Sequence, residues 1–238
     1  MSLVRPTKRR KPNPLPELNF GDSPVVQFFS KSRMPTLREM NADPKLAELE
    51  EALHEFPHWR RYLSNFARVP SPGIPYNGKL YPSVEHAFAA AKYASSTGAG
   101  DAPDFSVGSE LGGTDNIKKE HSRKGMEKYG FVLDVEAFDK VKYDITRKLV
   151  RARSEIDERF RDILTTVYSH GFKLLHFARR GGAGWGGYKR KEDGVYVGFN
   201  LLGQIMNELA SDLATSASLL NLSNSSASSP STTSALRF

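Results

Sequence analysis

The chain has 238 residues, 39% of them hydrophobic, enough for one domain with a real core and room for tails. It has 0 cysteines, which excludes disulfides, thiolate metal ligands and a cysteine nucleophile, and fits a reducing compartment. The net charge of +7 suits a phosphate-bearing ligand, but five basic residues and no acid fall between Arg5 and Pro16, so much of the excess belongs to one tail.

In chain order, residues 1–22 are rich in proline and charge and are expected to be disordered. Their basic run reads equally as a nuclear-import address, a loose nucleic-acid contact or a solvated leader. "VVQFF" at 25–29 is a strand candidate. Asp43-Pro44 predicts a helix start, with Asp as N-cap and Pro at the first helical position, and Leu46, Leu49, Leu53 and Phe56 share its apolar face. A second helix is predicted after Ser83, and residues 95–116 are expected to form a long loop. Phe138, Val141, Ile145 and Leu149 make another stripe; Phe160, Ile163, Leu164 and Val167 make the next, after Asp157 as cap. Strands are expected at 172–177 and 194–199. A last helix from Asn200 should bury Leu202, Ile205, Met206, Leu209 and Leu213. Residues 214–238 are serine-rich and too poor in large apolar residues for a core. The expectation is a mainly α (α+β), compact single domain over 23–213, with a few short strands and disordered tails. No run approaches the roughly 20 apolar residues of a membrane span, and no apolar stretch follows the basic start. A soluble cytoplasmic or nuclear protein is expected.

The helix after Ser83 carries unusual chemistry. Val84, Ala87, Phe88 and Ala91 form its apolar stripe. Glu85 lies in the first turn, where the helix dipole favours a carboxylate. Lys92 follows two turns later, on nearly the same side and about 10 Å along the axis. That is too far for an i, i+4 ion pair but suits two groups reaching toward one ligand, with Ala89, Ala90 and Ala91 leaving room. Taken alone, the same two charges are better explained by ordinary capping and dipole complementation. His86 reads as a hydrogen-bonded or packed ring. No HExxH and no cluster with metal spacing is present, so neither a metal nor a cofactor is expected.

Taken together, "YLSNF" at 62–66, "NGKLYPSVEHAFAAAK" at 77–92, "FDKVKYDITRKLVRAR" at 138–153, "GWGG" at 184–187 and "FNLLGQIMNEL" at 199–209 resemble the NADAR (YbiA-like) family, in the family's order and over most of residues 25–213. The resemblance implies a compact, mainly helical fold and hydrolysis of an N-glycosidic bond between a ribose and a base or amine. Two activities are implied by the family: cleavage of phosphoribosyl riboflavin intermediates, and removal of ADP-ribose from guanine in nucleic acid. The basic leader and the arginine-rich loop favour the second. The alternatives are a catalytically weak ADP-ribose-binding module, and a nucleic-acid-binding protein without enzymatic role, for which only the tail speaks.

Cleaving a C–N bond at an anomeric carbon passes through an oxocarbenium-like state that an ionised carboxylate stabilises. Glu85 is the expected catalytic carboxylate. Lys92 is the expected amine, as a nucleophile forming a Schiff base or as a charge holding phosphate, with Lys31 as its rival. Tyr62, Phe66 and Trp185 are candidate aromatic walls. Asn65 and His86 are candidate substrate contacts, and Asn200 reads as a helix cap or a diphosphate contact. The glycine-rich stretch 179–187, including Gly186, reads as a phosphate cradle or a flexible connection. The chain departs from the family where acids are usual: "LLHF" with His176 replaces a strand-end acid, and Gly181 to Gly184 stand before Trp185 where an Asp is common. Phe138 stands in place of a tryptophan. Asp193 is the expected stand-in for the second carboxylate, with Asp139 and His176 as alternatives. The oligomeric state is open.

Overall fold

The structure is a computed structural model that describes residues 14–98, 100–115, 117–178 and 184–226, of which 217–226 are described in backbone only. The basic run up to Asn13, Arg179 to Ala183 of the glycine-rich stretch, and the end of the serine-rich tail lie outside the described residues.

Strand β1 (Val25–Phe28) leads into α1 (Leu37–Ala42), α2 (Pro44–Ala52) and the short α3 (Trp59–Tyr62). Asp43 caps α2 as expected: its side chain accepts from Leu46 N, with Pro44 at the first position. The hairpin of β2 (Ile74–Tyr76) and β3 (Lys79–Tyr81) turns at Asn77-Gly78, both at positive φ (46° and 76°), the pattern of a type I′ turn. It delivers the chain to α4 (Val84–Ala94), capped by the Ser83 side chain on His86 N.

The expected loop at 95–116 is irregular over most of its described length, with short elements at both ends. β4 (Ser96–Gly98) pairs antiparallel with β5 (Phe131–Leu133), and between them lie α5 (Glu110–Gly113), a single 3-10 turn at Ile117–Lys119 and α6 (Arg123–Lys128). Phe105 anchors this segment at 0% exposure, the kind of apolar contact a loop reading misses. The long α7 (Val135–Ile156) runs directly into α8 (Glu158–Ser169), with Asp157 ending one and capping the other. β6 (Lys173–His176), the hairpin of β7 (Gly187–Lys189) and β8 (Tyr196–Gly198), and α9 (Leu201–Ser226) complete the fold. The mainly α, α+β architecture is as the sequence predicts. Among the described residues, no helix is long and apolar enough to cross a membrane, and no His/Asp/Glu group is arranged to hold a metal.

The α8 stripe is wholly buried, and Leu202, Ile205, Met206 and Leu209 of α9 are buried beside it. The α7 stripe departs at Val141, which is 42% exposed although Phe138 and Leu149 are buried. Both expected tails are shorter than their composition suggests. In the first, Leu18 N–H donates to Tyr196 O (2.8 Å) and Gly198 N–H to Pro16 O (2.9 Å), laying residues around Glu17 along the free edge of β8. At the other end, α9 does not stop near Leu213 but continues to Ser226.

β6 is read on both edges. β1 pairs with it in parallel on one side, matching Phe28 with His176. On the other side two amides of the last helix replace a strand. Asn200 Oδ1 accepts from His176 N (2.9 Å) and its Nδ2 donates to Leu174 O (3.0 Å), while Asn207 Oδ1 accepts from Leu174 N (2.9 Å). Asn200 is 1% exposed and sits at φ 50°, a conformation asparagine tolerates better than most residues. Its carbonyl takes the first bond of α9 from Gln204 N, but its side chain serves β6. It is therefore neither a side-chain cap nor free for a diphosphate. Asn200→Ala orphans the buried His176 N–H and keeps the strained φ, so we expect a loss of roughly 2–4 kcal/mol. Asn200→Gly, which relieves the strain, should lose less. Urea unfolding of both variants checks this; equal losses would assign the effect elsewhere.

Candidate active site

Glu85 and Lys92 both face the segment that follows the 3-10 turn. Glu85 is held at its main chain, where its N–H donates to Asn65 O (2.9 Å). Its Oε1 lies 3.0 Å from His121 Nε2, with the two side chains 14% and 10% exposed. The buried Nε2 has no hydrogen-bond partner, so the two groups meet by close approach alone. Lys92 Nζ donates to His121 O at 2.6 Å. Burial pulls the Lys92 pKa below its usual value, and the Glu85 charge opposes that shift. His176, at the end of β6, senses the same charge. Its Nδ1 donates to Trp185 O (3.2 Å), which leaves the Nε2 lone pair as its acceptor, and burial lowers its pKa despite the help of that bond and of Glu85. A carboxylate, a partly desolvated amine and a neutral imidazole therefore share one electrostatic environment.

Trp185 stands against α4, its ring edge-on to Phe88 at 5.5 Å, with Lys142 Nζ 5.8 Å from its centroid. Asn65 Oδ1 is buried and has no hydrogen-bond partner, on the residue whose carbonyl pins Glu85. Phe66 is half-buried beside it, its N–H donating to Ser64 Oγ at 3.3 Å.

Other expected site residues have structural work instead. His86 is 1% exposed; its Nδ1 meets Ser83 Oγ (2.7 Å) and its Nε2 must donate to Thr114 O (2.9 Å), so the ring ties α4 to the 110–115 segment and faces no ligand. The Tyr62 hydroxyl donates to both Asp157 oxygens at 2.9 Å, and the guanidinium groups of Arg153 and Arg159 lie 4.8 and 4.5 Å from its ring centroid. That ring is already packed against two guanidinium groups and its hydroxyl is spent on Asp157, so it does not serve as a wall for a base. Gly186 is buried because a Cβ there would collide with the His176 carbonyl oxygen; it allows strand contact and does not cradle phosphate. Asp193 lies in the exposed turn between β7 and β8, where Val195 N–H and Arg190 hold its pKa down. It is a turn residue in an ion pair, which removes it as the second catalytic carboxylate. Asp139 is likewise paired, with Lys142 at 2.7 Å. Lys31 is exposed in the turn after β1. The room expected over the alanines is absent at Ala89 and Ala91, which are 0% and 1% exposed in the core.

Arg153 and His121 were not legible as site residues. Arg153 is fully buried; it pairs with Asp157 (3.0 Å) and donates to the carbonyls of Tyr62 (2.8 Å) and Ser64 (3.2 Å). It thereby fixes the loop whose next residue pins Glu85. Its fork of donors finds its acceptors on distant segments, which no local pattern announces. His121 had no sequence signal.

The buried histidines predict a pH response. The His86 pKa lies below its usual 6.5, mainly through burial. Between that lowered value and 6.5 the unfolded chain binds the extra proton. Stability is therefore whole above about 6.5 and lost as pH falls, by up to about 1.4 kcal/mol per pH unit per histidine. His176 adds in the same direction. Urea midpoints from pH 7.5 to 5.5 should decline; a flat profile would contradict a neutral, buried His86.

No family model matches the chain, and no curated protein matches it. Among solved structures, the NMR structure of the E. coli protein YbiA aligns over 89% of this chain and 92% of that chain, at 18% identity and a TM-score of 0.48. A likeness of that size says nothing about substrate or chemistry.

Proposed function

We propose that the protein is an N-glycosidase that releases ADP-ribose from ADP-ribosylated guanine in nucleic acid. The observation that carries this reading is the convergence of Glu85 and Lys92 on His121, with His176 in the same field. The motifs that resemble the NADAR family support it. No metal or cofactor has a part in it.

As the bond from the anomeric carbon to the base breaks, its electron pair leaves with the base and positive charge grows on the sugar. The Glu85 carboxylate stabilises that charge and takes a proton from the water that adds to the anomeric carbon. A second route begins with Lys92 as the neutral amine, which its desolvation favours. The amine then attacks the anomeric carbon, and the opened sugar is held as a Schiff base until water releases it. His176, neutral and with a free lone pair, takes the acid/base place that Asp193 does not fill. Trp185 and Phe66 are the remaining aromatic walls, and the Asn65 amide oxygen, lacking a partner, is suited to accept from the sugar or base.

The test is release of base. The protein is incubated with ADP-ribosylated guanine DNA and, separately, a phosphoribosyl aminopyrimidine, with mass spectrometry of the products. Release from the DNA supports the reading, and release from the pyrimidine alone moves the substrate to riboflavin intermediates. No release, with ADP-ribose still bound, leaves a binding module. Borohydride added during turnover separates the two routes, because only the amine route leaves a stable sugar adduct on Lys92.

A further inference from the structure

We infer that His121 is a positioning residue that holds the Glu85 carboxylate against its ring and keeps one Glu85 oxygen free for reaction; the inference rests on the glycosidase reading above. Glu85 and Lys92 are two turns apart on one helix face, too far along the axis for an i, i+4 ion pair, so each takes its partner from outside α4. They do not pair. The Glu85 carboxylate instead meets the His121 ring at 3.0 Å, and the Lys92 ammonium is taken by the carbonyl of the same residue at 2.6 Å.

The residue that meets both is itself held along its main chain from several sides. Ile117 is buried at 0% exposure at the start of the 3-10 turn. The carbonyl of the preceding Glu120 accepts from the Tyr93 hydroxyl (2.6 Å), and its side chain accepts from the Tyr129 hydroxyl (3.1 Å). The following Ser122 caps α6 on Gly125 N (3.1 Å). A backbone fixed in this way, with the side chain buried at 10% exposure, keeps the ring beside the carboxylate more firmly than solvent does. The buried Nε2 has no hydrogen-bond partner, so its contact with Glu85 is its one evident role. With Oε1 against His121, Oε2 is the oxygen left for the water proton.

Substitution of the side chain leaves the His121 carbonyl, and so the Lys92 tether, in place. Glutamine sets a polar amide dipole beside Oε1 at about the reach of Nε2, whereas asparagine reaches only as far as Nδ1. His121→Ala should lower kcat roughly 10–100-fold with KM changed less than about twofold, His121→Gln should recover most of the loss, and His121→Asn should not. Thermal midpoints of the Gln and Asn variants should agree, which separates positioning from folding even where the alanine variant is unstable. Full kcat in His121→Ala, a change confined to KM, or equal impairment of the Gln and Asn variants would overturn the inference. In each case the wild type is active and Glu85→Gln inactive, so the glycosidase reading survives. A wild type that releases no base from any substrate fells that reading and this inference with it.

Discussion

Glu85→Gln is expected to lower turnover roughly 10²–10⁴-fold while ADP-ribose affinity stays within about threefold. The substitution is close to isosteric, so the first turn of α4, pinned through Asn65 O, should be undisturbed. What it removes is charge. A neutral amide cannot take the water proton and stabilises a growing oxocarbenium far less than an anion in a partly desolvated site. Affinity should be spared because Trp185 and Asn65 remain in place. Single-turnover rates and calorimetric titration with ADP-ribose measure the two effects separately. Full turnover in this variant would end the assignment of Glu85 and leave Lys92 as the first candidate.

The largest stability effect is expected at Arg153. Arg153 and Asp157 are both at 0% side-chain exposure and 3.0 Å apart. Burial pulls the guanidinium pKa down and Asp157 opposes this. Arg153→Met would leave the Asp157 carboxylate buried with only the Tyr62 hydroxyl and Phe160 N–H, at a cost of about 3–5 kcal/mol. Adding Asp157→Asn should recover part of that loss, because an amide still caps α8 and no charge is left unpaired. The same change frees the carbonyls of Tyr62 and Ser64, so activity should fail at a lower temperature than global unfolding. Urea unfolding of the single and double variants, beside activity measured against temperature, checks both claims. A single-variant loss below about 1 kcal/mol would show that water enters and screens the pair.

Sequence patterns located the helices that bear chemistry. Asp43, Ser83 and Asp157 each place a side-chain acceptor three residues ahead of a free N–H, and all three cap as read. The α8 stripe is buried as a 3.6-residue period requires, and Glu85 and Lys92 are on one face because seven residues make two turns. These are interactions among neighbours along the chain, and neighbours are what a sequence lists.

Tertiary structure decided which expected residues have a free hand. Tyr62, His86, Asn200 and Gly186 match motifs, yet each is consumed by a contact with a distant segment: Asp157, Thr114, β6 and the His176 carbonyl. Asp193 fell to a turn and an ion pair, and His121 entered the site with no motif to announce it. The sequence by itself determined the helix caps, the apolar stripes and the shared face of Glu85 and Lys92, since these follow from backbone geometry over a few residues. Only packing between elements decided what those two side chains meet, because a buried polar group takes whatever partner the fold sets beside it, however far along the chain that partner lies.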